Sequence, residues 1–174
     1  MVNEISEIKA LAEELNVNIR LSNEIVPGRS GSLDHYNFQA ALSQLCNSMG
    51  QQWIEESQVA REIGPCKAGK GSCSISPNGD VFPCLLMPLK IGNLREKTFS
   101  EIWKTRPCPD LTMLRSITKS DMKECLNCAI SRFCNRCPGV AYSESGSFTR
   151  PAPSACRNAT FKYNYITRRE GVLR

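Results

Sequence analysis

The sequence predicts an α+β protein, a small β-hairpin with short helices and loops wrapped around two metal centres. Three observations carry this. Apolar residues recur at helical spacing in two stretches, residues 4–15 and 38–53. An Asn78-Gly79 pair stands between two short apolar runs, a strong hairpin signal. The chain holds ten cysteines, and four of them, Cys125, Cys128, Cys134 and Cys137, fall within one short block. Thiols two residues apart reach one metal centre without straining the backbone, so the pairing recurs in zinc and iron–sulfur sites alike.

Composition narrows the class. The 174 residues are 41% hydrophobic and 22% charged, ordinary for a globular chain. No apolar run approaches the length of a membrane span. Met1 to Lys9 lack a basic stretch followed by an apolar core, so no secretory signal is expected and the expected compartment is the reducing cytoplasm. The net charge is +5, but the basic residues are scattered and do not interleave with aromatics, which argues against a nucleic-acid partner. Two tetrathiolate four-iron centres, each about −2 by charge counting, would bring that total to about +1.

The elements follow in chain order. Ile5, Ile8, Leu11, Ala12 and Leu15 mark an amphipathic helix that ends at Asn16, a residue tolerant of the left-handed conformation. Val17-Asn18-Ile19-Arg20-Leu21 alternates like a strand. Asp34 is placed to cap a second helical stretch whose face carries Phe38, Leu42, Leu45, Met49 and Trp53. Cys46 beside that face reads as a small buried hydrophobe, His35 as a surface or cap residue, and Gly64-Pro65 as the end of the region.

From Cys66 the character changes. Cys66 and Cys73 bracket a Gly/Lys loop that lacks the spacing of a phosphate loop. A hairpin centred on Asn78-Gly79 pairs Ile75 with Phe82 and sets Cys73 beside Cys84, and Pro83 implies an edge strand. Ile91 to Leu94 reads as a turn. Thr98 to Glu101 is a capping box opening a short helix through Ile102 and Trp103 that stops before Pro107. Cys108 reads as a free loop thiol, and Asp110 is placed to cap a helix over Leu111 to Arg115. A last helix carries Phe161 and Tyr165 as a packing stripe.

With Cys46 and Cys108 set aside, eight thiols remain, enough for two tetrathiolate sites. The lone histidine, His35, lies far upstream, so sulfur alone would hold the metal. Spacing leaves zinc and iron–sulfur both open, and with zinc the chain would be a structural interaction module with two tetrathiolate zinc sites. No residue stands out as a general base or nucleophile. Asp80, Glu101 and Glu144 read as surface or cap groups.

The order Cys66, Cys73, Gly79, Cys84, then Cys125, Cys128, Cys134, Cys137, then Cys156 resembles the SPASM domain. Around the thiols, Ser76 to Cys84, Ile91 to Leu94 and Ser100 to Trp103 resemble that domain's hairpin and helix; the likeness spans Gly64 to Lys162. The SPASM domain is the C-terminal auxiliary-cluster domain of radical S-adenosylmethionine (SAM) enzymes that modify peptides and proteins. The resemblance implies two [4Fe–4S] clusters. The first would sit on Cys66, Cys73, Cys84 and Cys137, the second on Cys125, Cys128, Cys134 and Cys156. The interleaving would tie the hairpin to the C-terminal segment, with cluster binding supplying folding energy. Two residues, Asn135 and Arg136, separate Cys134 from Cys137 where the family often has three. Leu85 stands where the sulfatase-maturing branch has an aspartate that acts as a base, so that role is not implied.

The SAM-cleaving motif of such enzymes, C-x3-C-x2-C, is absent from the ten cysteines. The resemblance therefore implies that SAM acts only through an N-terminal barrel, missing here or supplied by a separate chain. On this reading residues 1–64 are a helix–strand remnant of a partial (β/α) barrel with a linker helix, and residues 65–174 are the auxiliary-cluster domain. A peptide or protein is the implied substrate, and the chemistry is that of an oxidoreductase or maturase.

Overall fold

A computed structural model describes residues 4–22, 24–26, 28, 32, 34–58 and 65–172. The helix α1 spans Ile5–Glu14. It ends as expected: Asn16 adopts φ 51°, and the Asn16 and Val17 amides donate back to the Glu13 and Ala12 carbonyls. That left-handed cap satisfies carbonyls the helix end leaves open. Residues 17–22 then run without strand pairing, contrary to the alternation of Val17 to Leu21. A strand needs a neighbouring backbone to pair with, and the described residues give this segment none. It is held instead by the Gln52 side-chain amide donating to the Leu21 carbonyl (3.1 Å) and by the Arg20–Glu56 ion pair (3.6 Å).

A 3-10 turn, Asp34–Phe38, precedes α2, Leu42–Gln58. Leu45, Met49 and Trp53 lie buried on one face of α2, three or four residues apart as the helical period requires. Gly64, read as part of a boundary, and the side chains of His35 and Phe38 lie outside the described residues. The face of α2 packs on α6, Pro153–Val172. Trp53, 1% exposed, meets Phe161 and Tyr165 edge-on at ring separations of 6.1 and 5.7 Å. Such edge-to-face contacts set the positive rim of one ring against the negative face of the other.

The sheet has three antiparallel strands in the order β1 (Ser74–Ile75), β2 (Asp80–Phe82), β3 (Gly92–Asn93). The hairpin forms where predicted, but in another register: Ser74 pairs with Phe82 and Ile75 with Val81. Pro77 is the reason. A two-residue turn at Asn78-Gly79 needs an N–H from Pro77, which proline lacks. The chain uses a three-residue loop instead. Ser76 donates to the Asp80 carbonyl (2.9 Å), Gly79 to the Ser76 carbonyl (2.9 Å), and Gly79 takes φ 85°. The predicted direct pairing of Cys73 with Cys84 is therefore lost.

The second strand is central rather than an edge. Pro83 lies just past its end, and β3 replaces the predicted turn at Ile91 to Leu94. Asp80, read as a surface group, fastens β2 to β3 by accepting from Lys90 (2.6 Å) and Asn93 (2.8 Å). Gly92 permits the third strand: a Cβ there would lie 2.8 Å from Ile102 Cγ1. Val81, Ile91, Ile102 and Leu111 form the core below.

The capping box holds, with the Thr98 amide donating to Glu101 (2.8 Å) and the Glu101 amide to the Thr98 hydroxyl (3.3 Å). A π-type turn, Glu101–Thr105, follows. The next helix, α3, spans Pro109–Ser116. Its N-cap is Cys108 rather than Asp110, because Pro109 presets the first helical φ and leaves Asp110 inside the first turn. Two short helices complete the fold, α4 at Lys123–Leu126 and α5 at Pro138–Ser145. Glu144 on α5 caps the start of α6, accepting the Ser154 amide at 3.1 Å.

Candidate metal centres

The first thiol group is built on the Cys66–Cys73 loop. Lys70, Gly71 and Ser72 all donate to the Lys67 carbonyl, and Gly69, at φ 70°, donates to the Pro83 carbonyl (3.0 Å). This knot holds the loop against the end of β2. The Ala68 amide donates to Cys66 Sγ at 3.4 Å. Beyond β2 the chain turns, and Cys84 Sγ accepts from the backbone amides of Leu86 and Met87. Burial raises the Cys84 pKa, and the charges of Cys137 and Cys66 raise it further. Those influences bring together three thiols far apart in sequence. Cys73 lies exposed at the foot of β1, on the same knotted loop as Cys66.

Cys137 is the N-cap of α5. Pro138 starts that helix at the position where a missing N–H costs nothing. Gly139 then sets the distance between the two loops: a Cβ there would stand 2.5 Å from the Leu86 carbonyl oxygen. Two residues past each thiol, the Cys137 and Cys84 loops are in backbone contact.

The second group is more enclosed. Cys125, on α4, is 8% exposed. A chain of turns follows, with Cys128 donating to the Cys125 carbonyl, Ser131 to that of Cys128 and Cys134 to that of Ser131. Cys156 joins from α6. Burial pushes the Cys134 thiol up to about 11 against an opposing hydrogen bond from the Arg136 amide, and Cys156, Cys125 and Cys128 add to the rise. Cys156 is raised by burial and then by Cys125 and Cys128, while Arg136 works in the opposite sense. The Arg136 guanidinium is fixed by the Phe148 carbonyl (2.5 Å) and the Arg150 carbonyl (2.6 Å).

Cys46 and Cys108 stay apart from both groups. The Cys46 thiol donates to the Leu42 carbonyl and packs on the Trp53 cluster, and Cys108 packs on the Val81 core. Among the described residues, no three His, Cys, Asp or Glu side chains converge as a ready-made site for a single metal ion. The donor set fits a thiolate-bound cluster. It is entirely sulfur, and Cys66, Cys84 and Cys134 each accept a backbone N–H from the residue two positions on, which favours the thiolate. Those bonds, helix α5 and the Gly139 contact were not read from the sequence. The Cys137-Pro138-Gly139 triplet was their available signal.

Residues 66–129 match the family model SPASM, described as an iron–sulfur cluster-binding domain. The match includes Cys66, Cys73, Cys84, Cys125 and Cys128, and Cys134, Cys137 and Cys156 lie beyond it. An AdoMet-dependent heme synthase of Methanosarcina barkeri is 34% identical over 88 residues, 51% of this chain and 24% of that protein. The heme synthase of Nitratidesulfovibrio vulgaris is also 34% identical, over 23% of its length. A PqqA peptide cyclase of Xanthomonas euvesicatoria is 34% identical over 71 residues, 37% of this chain and 19% of the cyclase. The chain thus spans about a quarter or less of the length of these relatives. No solved structure matches it significantly. Over residues 66–129, the chain is thus similar to the SPASM family of iron–sulfur cluster-binding domains.

Proposed function

We propose that the chain binds two [4Fe–4S] clusters as the auxiliary-cluster part of a radical SAM enzyme that modifies a peptide or protein. Cys66, Cys73, Cys84 and Cys137 would hold one cluster, and Cys125, Cys128, Cys134 and Cys156 the other. The observation that carries this reading is the close backbone approach of Gly139 to Leu86, two residues past Cys137 and Cys84, beside the chain of turns that links Cys125, Cys128 and Cys134. Each group draws its members from sequence-distant segments, as a cluster that pins a fold requires. When bound, the clusters supply one-electron chemistry. The chain's own part is to hold the thiolates, donate amide N–H groups to sulfur and seat the substrate. SAM cleavage is assigned to a barrel outside these residues, on the same or a separate chain. Residues 1–64 form the end of that barrel and its linker, and residues 65–174 the cluster domain. The expected compartment is the cytoplasm; no helix among the described residues is long and apolar enough to cross a membrane.

The chain is similar both to heme synthases and to a peptide cyclase. A peptide substrate is favoured by the cleft described below. The test is anaerobic purification with iron, sulfide and zinc counted per chain. About eight iron and eight sulfide, the stoichiometry of two cubanes, is the expected result. About two zinc with no sulfide would overturn the proposal and leave a structural module with two tetrathiolate zinc sites.

A further inference from the structure

A cleft lies beside Cys137 of the first thiol group. Its cavity volume is about 50 Å³. Cys137 lines it directly. Leu86 reaches it from the loop after Cys84, Asn135 from beside Cys134, and Ala155 from beside Cys156. Among the described residues, Cys137 is the one thiol that lines it.

The lining has a definite chemistry. Ile25, Val26, Leu86, Val140 and Ala155 supply the apolar lining, beside four uncharged polar residues. Among the described residues that line it, Glu24 is the only acid and there is no lysine or arginine. The Asn135 side-chain amide donates to Glu24 Oε1 at 2.8 Å and so orients the carboxylate at the rim. An ionised carboxylate only accepts hydrogen bonds, so this rim selects a donor. The apolar walls select an uncharged group of side-chain size. A ligand bearing carboxylates, such as a heme precursor, would meet no cation among the described lining residues and would be repelled by Glu24.

We infer that this cleft takes the apolar side chain of an internal peptide residue, whose backbone N–H is accepted by the Glu24 carboxylate. The inference names the substrate of the proposed cluster protein and rests on that reading for its catalytic meaning. It places the bound residue against Cys137, a ligand of the first proposed cluster.

The test uses the full chain purified anaerobically, with iron and sulfide counted in the same samples. Equilibrium dialysis compares N-acetyl-leucine methylamide with N-acetyl-leucine, which carries a carboxylate in place of the second amide. The methylamide is expected to bind saturably, and the acid about tenfold or more weakly, the scale of one charge-assisted interaction. Ala155→Phe, which fills the cleft, should abolish binding. Glu24→Gln, at an exposed position, should weaken the methylamide severalfold and narrow its preference over the acid. Equal binding of the two probes, or no binding by a chain holding its iron and sulfide, would overturn the inference. So would unchanged binding in both variants. Selective methylamide binding by a chain that holds no iron or sulfide would support the cleft while overturning the cluster proposal.

Discussion

Cys156, in the opening of α6, helps burial, the larger cause, to hold the Cys134 thiol up at about 11. The two thiols are brought together by the turn sequence after α4 and by the packing of α6 on α2. Metal binding requires thiolates, so these groups must lose protons as a cluster assembles. The folded pKa values of Cys84, Cys134 and Cys156 are all raised, so the protonated form prevails at neutral pH and assembly releases protons. Reconstitution followed by absorbance should therefore be faster at about pH 8.5 than at about pH 7. Proton release should be detectable in weakly buffered solution.

Removing one ligand should remove one cluster. Cys134→Ala or Cys156→Ala is expected to lower iron from about eight to about four per chain, and Cys84→Ala to do the same through the other group. Cys46→Ser and Cys108→Ser should leave the count unchanged, because those thiols pack on apolar clusters apart from both groups. Iron and sulfide analysis of the five variants checks this.

Gly139→Ala should damage the first centre selectively. Its Cβ would stand 2.5 Å from the Leu86 carbonyl oxygen, so the Cys137 and Cys84 loops must separate. Overpacking of this kind costs about 1–3 kcal/mol. The expected outcome is a lower melting temperature with about four iron retained. Gly146→Ala serves as a control with no close neighbour, although its φ of 71° carries its own cost of about 1–2 kcal/mol without iron loss.

Trp53→Ala should cost about 3–5 kcal/mol, since it opens the joint between α2 and α6. Tyr165→Phe keeps the ring and removes only the hydroxyl that donates to the Cys46 carbonyl at 3.2 Å. Its expected cost is about 1 kcal/mol. Thermal melts of the two variants separate packing from hydrogen bonding.

Tyr36 is expected to make the fold sensitive to alkali. Burial, then the hydrogen bond to Glu144, raises its pKa from 10.0 to about 12. The folded state keeps this proton where the unfolded chain has lost it. The contribution is therefore complete below about pH 10 and is lost as pH rises towards 12. Stability measured across that window should fall less steeply in Tyr36→Phe than in the parent chain.

Local signals in the sequence were sufficient wherever one element decides its own conformation. Asn16 ended α1, Thr98 and Glu101 boxed a helix start, and Leu45, Met49 and Trp53 marked the buried face of α2, because each follows from a few neighbouring residues. The hairpin was legible at Asn78-Gly79, but its register was not read correctly. Pro77 has no N–H to give the shorter turn, and that moved Cys73 off Cys84. The cysteine spacing determined that sulfur chemistry dominates this chain. Only the tertiary structure decided which thiols influence one another, that Val17 to Leu21 has no strand to pair with among the described residues, and that β3 lies against β2. Those outcomes depend on close approaches between distant segments, such as Gly92 against Ile102 and Gly139 against Leu86. No local pattern encodes such an approach, because its free energy arises only when both segments are already in place.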